Sequence, residues 1–178
     1  MSLGPRRQDI LMRNLDEITL DKHSRVMIEA PNTFMEMALL EAQAAYERGE
    51  VPVGAVVIDG ATGEVLARAG NRTEELNDPT AHAELLAIRE AAAKVGSSRL
   101  PNCDLYVTLE PCAMCATAIS FARLRRLYFG AFDTKMGGVE NGPAMFNQPT
   151  CHHGPDVYGG MNEHAAAELL KSFFRDKR

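Results

Sequence analysis

The chain has 178 residues, 46% of them hydrophobic and 24% charged, with a net charge of −5, the balance of one ordinary globular domain that buries about 70% of the surface its unfolded chain exposes. This composition excludes collagen-like, coiled-coil and disordered classes. No stretch approaches the ~20 consecutive apolar residues of a bilayer span, and no apolar segment follows Arg6, Arg7, Asp9 and Arg13, so the sequence reads as cytoplasmic and not as a membrane protein.

Residues 1–31 show no sustained period, and Pro31-Asn32 separates them from the patterned remainder of the chain. They are predicted to be an extension, with one domain over 32–178. From Thr33 a helical stripe runs through Phe34, Met37, Ala38, Leu40, Ala44 and Ala45, with Thr33 or Asn32 as cap and Gly49 as stop. Val53–Ile58 is β-branched and nearly continuous, Asp59–Gly63 carries turn residues and Glu64–Ala69 alternates. That pattern predicts a hairpin whose first strand is buried on both faces. Asn71–Asn77 is polar loop, Asp78-Pro79 signals a helix start, and Ala81–Val95 is rich in Ala, Leu and Glu. Asp104–Leu109 is predicted as a second buried strand, Pro111–Ala122 as a second helix with Pro in its first turn, and Arg126–Ala131 as a third strand. Alternating strands and helices imply parallel pairing. Gly137–Pro155 is rich in Gly, Pro and Asn and is predicted irregular, and Glu163–Phe174 closes the chain as an amphipathic helix.

Charge is uneven along the chain. Residues 1–32 carry five of each sign, 33–119 six basic and thirteen acidic, and 120–178 eight basic and six acidic, so any polyanion-binding surface is expected in the C-terminal third, with phosphates at the basic runs Arg123–Arg126 and Arg175–Arg178 (Arg175, Lys177 and Arg178) and at Lys135.

The four cysteines are too few for a disulfide scaffold and direct attention to thiol or metal chemistry. Two motifs at predicted helix starts carry it: His82-Ala83-Glu84 and Pro111-Cys112-Ala113-Met114-Cys115. Cysteines at i and i+3 share a helix face and can reach one tetrahedral ion, and the positive end of a helix favours the thiolate. With His82 as third ligand, the fourth position stays open to water, as in a catalytic zinc site. Glu84 is placed to move that water's proton. A lone C-x-x-C is also the pattern of a redox pair, or of half a structural zinc site completed by Cys103, Cys151, His152 or His153. Iron suits the same donors.

H-x-E with P-C-x-x-C resembles the cytidine-deaminase-like zinc superfamily. Over about residues 33–178 the chain further resembles the bacterial tRNA-specific adenosine deaminase (TadA) family. That likeness rests on Glu50–Val56, Gly70-Asn71-Arg72, Asp78–Glu84, Leu105–Cys112 and Phe173–Arg178, and it departs from the family pattern at Val139–Pro143. The resemblance implies a three-layer α/β/α sandwich around a five-stranded mixed sheet. It implies His82, Cys112 and Cys115 as ligands of one Zn2+ per subunit, Glu84 as proton shuttle, and no organic cofactor. Asn71, Ala83 and Asp133 would bind the flipped nucleotide. The implied partners are the anticodon stem-loop of a tRNA and a second subunit in a homodimer, and the implied reaction is deamination of the wobble adenosine to inosine. Two other functions fit the motifs: deamination of a free guanine- or cytosine-type base or nucleoside, and a non-catalytic, zinc-stabilised RNA-binding module.

Overall fold

The computed structural model describes residues 33–177. The predicted extension over 1–31 and the proposed contact at Arg178 lie outside the described residues. Helix α1 (Phe34–Glu47) starts at Thr33, whose hydroxyl accepts from the Glu36 N–H while the Glu36 carboxylate accepts from the Thr33 N–H. This reciprocal capping box satisfies two donors that a helix start otherwise leaves open, and it selects Thr33 over Asn32.

Strands β1 (Gly54–Asp59) and β2 (Val65–Gly70) form the expected hairpin. The remaining elements are α2 (Thr73–Leu76), α3 (Ala83–Val95), β3 (Cys103–Leu109), α4 (Ala113–Ala122), β4 (Arg126–Ala131), β5 (Asp156–Tyr158) and α5 (Glu163–Asp176). The sheet order is β2-β1-β3-β4-β5. Parallel pairing holds for β3 with β4 and for β4 with β5, but β1 is antiparallel to both its neighbours. The sheet is mixed because the β1–β2 hairpin reverses the chain before the first crossover helix.

Side chains alternate across each strand, and that alternation builds two cores. Ala55, Val57, Leu105, Val107, Leu127 and Phe129 pack against Ala83, Ala87, Ile88 and Ala91 of α3 and Ala116, Ile119 and Ala122 of α4. Val56 and Ile58 face the other way, onto Met35 and Ala38 of α1. At ~1.5–3 kcal/mol for each large apolar side chain removed from water, the first core is the main source of stability. On the α1 face the backbones nearly touch: a Cβ on Gly54 would lie 2.0 Å from the Ala38 carbonyl oxygen. Tyr106, Tyr128 and Tyr158 stand side by side across β3, β4 and β5 on the same face, with ring centroids 4.4 and 4.8 Å apart. The result is the expected α/β/α sandwich.

Three sequence-based expectations are corrected. The helix predicted from Ala81 begins at Ala83, because Asp78 and Thr80 use the intervening donors in a tight turn: the Thr80 N–H donates to Asp78 at 2.8 Å and the His82 N–H to the Thr80 carbonyl at 2.7 Å. The helix predicted from Pro111 begins at Ala113, since Cys112 forms an isolated bridge with Gly137 that keeps it extended. Within the segment read as polar loop, α2 forms because the Glu50 carboxylate accepts the Thr73 hydroxyl and the N–H groups of Glu74 and Glu75.

Candidate metal centre and substrate groove

Both motifs stand at helix N-caps. His82 precedes α3 and Cys112 precedes α4, each with extended backbone, and neither side chain caps its own helix. Both side chains are thereby left to meet. His82 Nδ1 lies 3.7 Å from Cys112 Sγ and 3.5 Å from Cys115 Sγ. Tetrahedral bonds of about 2.3 Å to sulfur and about 2.0–2.1 Å to nitrogen put N and S about 3.6 Å apart, so the donors already have the spacing a zinc ion requires. The three ligand atoms lie within 4.8 Å of one another, and no fourth His, Cys, Asp or Glu joins them among the described residues.

Electrostatics agree with the geometry. Hydrogen bonding to Cys112 raises the His82 imidazole above its ordinary range. Hydrogen bonds from Cys115 and His82 outweigh burial and pull the Cys112 thiol down to about 4, while Cys115, sharing its proton with Cys112 and buried, is pushed up. Metal binding displaces such shared protons. Glu84 is 4% exposed on the first turn of α3. Burial, the largest influence, pushes its carboxyl up, against the opposing pull of its own backbone N–H and of His82. A buried carboxyl whose proton affinity is raised, close to the three donors, suits general acid–base work.

The other candidate ligands are elsewhere. Cys103 is a core side chain. Cys151 Sγ lies 3.4 Å from Ser120 Oγ, the His153 ring nitrogen Nε2 meets the Leu124 carbonyl at 2.7 Å, and His152 is exposed.

Asn71 is buried, and its Oδ1 accepts from the Ala83 N–H at 2.8 Å. That bond fixes which way the amide faces and consumes the Ala83 donor; the Asn71 Nδ2 makes no hydrogen bond among the described residues. Asp133 Oδ1 accepts from the N–H groups of Lys135 and Met136 at 2.9 and 3.0 Å, closing a turn. Asp133 and Lys135 also line a groove of about 820 Å³ whose walls include Leu109, Met136, Phe174 and Arg175. The groove therefore adjoins the strand that leads into the Cys112 ligand, and α5 forms its far side. In the basic run Arg123–Arg126, Arg125 is occupied by Asp104, through a two-pronged ion pair, and by the Gly60 carbonyl.

Sequence reasoning missed one residue that organises the site. Glu110 is 2% exposed, and its carboxylate accepts from the N–H groups of Asp133, Val139, Glu140 and Asn141 and from the Asn141 side-chain amide. Burial alone would raise this carboxyl; the bonds from Asn141, Asp133 and Glu140 outweigh it and hold the group below the usual carboxylate range. A Cβ on Gly137 would stand 2.6 Å from the Glu110 carboxyl carbon, which requires glycine there. A signal exists, since a lone Glu between a buried strand and a ligand cysteine needs a partner. Its partners lie 23–31 residues later, too far to form a local pattern.

The family model for the cytidine and deoxycytidylate deaminase zinc-binding region matches residues 28–131. The chain is 63% identical over 145 residues to a tRNA-specific adenosine deaminase of Agrobacterium fabrum, covering 82% of this chain and 94% of that protein. It is 41% identical to the protein of that name from Bacillus subtilis, covering 82% and 89%. Among solved structures, one from work on A-to-I editing by tRNA:A34 deaminases at the wobble position superposes with a TM-score of 0.75 at 63% identity, covering 77% of this chain and 98% of the other. A guanine deaminase from Nitrosomonas europaea superposes with a TM-score of 0.70 at 25% identity, covering 81% and 84%. With the metal-ligand geometry, these likenesses place the chain in the tRNA-specific adenosine deaminase family of zinc-dependent deaminases.

Proposed function

We propose that this protein is a cytoplasmic hydrolase that converts adenosine to inosine at the wobble position of a tRNA anticodon. The observation that carries the reading is a three-donor metal centre with no fourth side chain, among the described residues, beside the buried Glu84, in a chain so similar to relatives of that name. His82, Cys112 and Cys115 hold Zn2+, which when bound supplies Lewis-acid activation of water at neutral pH. Glu84 carries protons: it takes one from the attacking water and delivers it to adenine N1 as the water oxygen bonds to C6, then moves the second from the new C6 hydroxyl to the exocyclic amine, so that the C6–N bond breaks, ammonia departs and the C6 carbonyl of inosine remains. Asn71, held by Ala83, presents its amide to the purine edge. Asp133, with one carboxylate oxygen committed to its turn, supports the nucleotide's sugar and backbone.

An anticodon loop is single-stranded, so extruding one base costs only a few kcal/mol, and its splayed neighbours can stack on exposed apolar side chains. Phe132, Met136 and Phe174 are exposed along the groove that Lys135 and Arg175 line, which supports base stacking and phosphate contact in one place. A homodimer belongs to the same reading, with the second subunit completing the RNA surface. Among the described residues no helix is long and apolar enough to cross a membrane.

The test is to incubate zinc-loaded protein with tRNA bearing an adenosine at the first anticodon position and to sequence for inosine, with free guanine, cytosine and adenosine in parallel. Inosine at that position is the expected result. Unedited tRNA with rapid turnover of a free base would overturn it in favour of the second reading, to which the guanine deaminase likeness gives some weight.

A further inference from the structure

The last residues of α1 and the turn after it touch both sides of the groove and site. On one side, Arg48 donates to the Asn71 carbonyl at 3.3 Å, and buried Glu50 holds α2, which follows Asn71 in the chain. On the other side, the Tyr46 hydroxyl donates to the Asp176 carboxylate at the end of α5. Lys177 Nζ donates to the Gly49 carbonyl at 3.0 Å and lies 4.4 Å from the centre of the Phe173 ring. Tyr46 meets Phe173 edge-on at 5.6 Å. Phe173 is buried by these contacts, while the adjacent Phe174 is 51% exposed and lines the groove.

Resting on the function proposed above, we infer that Tyr46 and Asp176 form a latch that positions α5, and that this latch sets the groove for the RNA strand. Neither residue lines the groove, so each acts through Phe173, Phe174 and Arg175 as a positioning residue. The Lys177 ammonium is engaged by Gly49 and Phe173, so it serves the latch as well as adding positive charge near the groove. Because the segment 46–50 grips the Asn71 turn and α5 together, the distance between the purine-edge amide and the apolar groove wall is fixed by one short piece of backbone.

The experiment uses full-length, zinc-loaded protein carrying Tyr46→Phe, Asp176→Ala, or both. KM and kcat are measured on an anticodon stem-loop RNA, and amide hydrogen exchange is followed in the last turn of α5. Charge and positioning make opposite predictions for Asp176→Ala: removing a negative charge near a polyanion tightens binding, whereas removing the acceptor opens the latch and weakens it. The latch predicts that each variant raises KM by about fivefold, the effect of losing one hydrogen bond to a charged group at a partly exposed site. It also predicts unchanged kcat, a double variant no worse than either single one, and faster exchange in α5. A lowered KM in Asp176→Ala, or unchanged KM and exchange in Tyr46→Phe, overturns the inference. A wild type that leaves the RNA unedited overturns the proposed function instead, and the exchange measurement then decides by itself whether the latch exists.

Discussion

The two sides of the sheet are built to different standards. The α3/α4 side is a continuous apolar core whose two helices both begin at the proposed metal ligands, so those side chains are held by packing. On the α1/α5 side the buried cluster is smaller, and the C-terminal helix, which buries Ala166 and Phe173, is also fastened at its end by exposed polar contacts. A reaction centre must hold its donors within tenths of an ångström of a working geometry, whereas a surface for a flexible loop of nucleic acid can tolerate adjustment. Rigidity is concentrated where bonds are broken.

The contrast can be broken most severely at the ligands. Cys112→Ser should abolish bound zinc and activity together and lower the melting temperature, because binding free energy at such a centre is also folding free energy; metal analysis and calorimetry check it. Glu84→Gln should retain full zinc stoichiometry and lose at least ~100-fold in kcat, the scale of a missing general acid–base. A variant that keeps its turnover would remove Glu84 from the proton-carrying role.

Effects next in size belong to the link between the two sides. Glu110→Ala should cost ~2–3 kcal/mol, since it leaves buried backbone donors unpaired, and should raise KM by loosening the 133–141 loop; denaturant melts and kinetics separate these effects. Acid should act in the same way. Glu50 and Glu110 are both held below the ordinary glutamate value of 4.5 by hydrogen bonds that outweigh burial. Their stabilisation is therefore complete above that value and is lost as pH falls through the lower folded value. As pH falls below 4.5, melting temperature should drop less steeply in Glu110→Gln than in wild type.

The smallest effects should be on the groove. Lys135→Ala or Arg175→Ala should weaken RNA binding modestly, with kcat untouched. On a single strand, the slope of log affinity against log salt should fall by about 0.7 for each phosphate that the variant no longer neutralises. Salt titration of binding would show whether recognition on this side is spread over many weak contacts.

Legibility in the sequence follows the same division. The Leu105–Leu109 run, the Ala-rich α3 and the two motifs at helix starts announce themselves, because their partners are near in sequence or impose a period. The three candidate metal donors are legible by type and spacing, and their meeting requires only that two neighbouring helices begin at one end of the sheet. Elements that depend on distant partners are not legible. The helix α2 needs a carboxylate from Glu50, 23 to 25 residues earlier, and β5 is three residues that count as a strand only through pairing with β4. Arg125 reads in sequence as part of a phosphate-binding run, and only its ion pair with Asp104 removes it from that role.

The tyrosine row has a practical consequence. The chain contains no tryptophan and four tyrosines, so its intrinsic ultraviolet signal comes chiefly from tyrosine, three of whose rings stack across β3, β4 and β5. Detachment of the short outermost strand would break that stack at Tyr158 and alter near-ultraviolet circular dichroism, giving a label-free optical gauge of whether the sheet margin is intact.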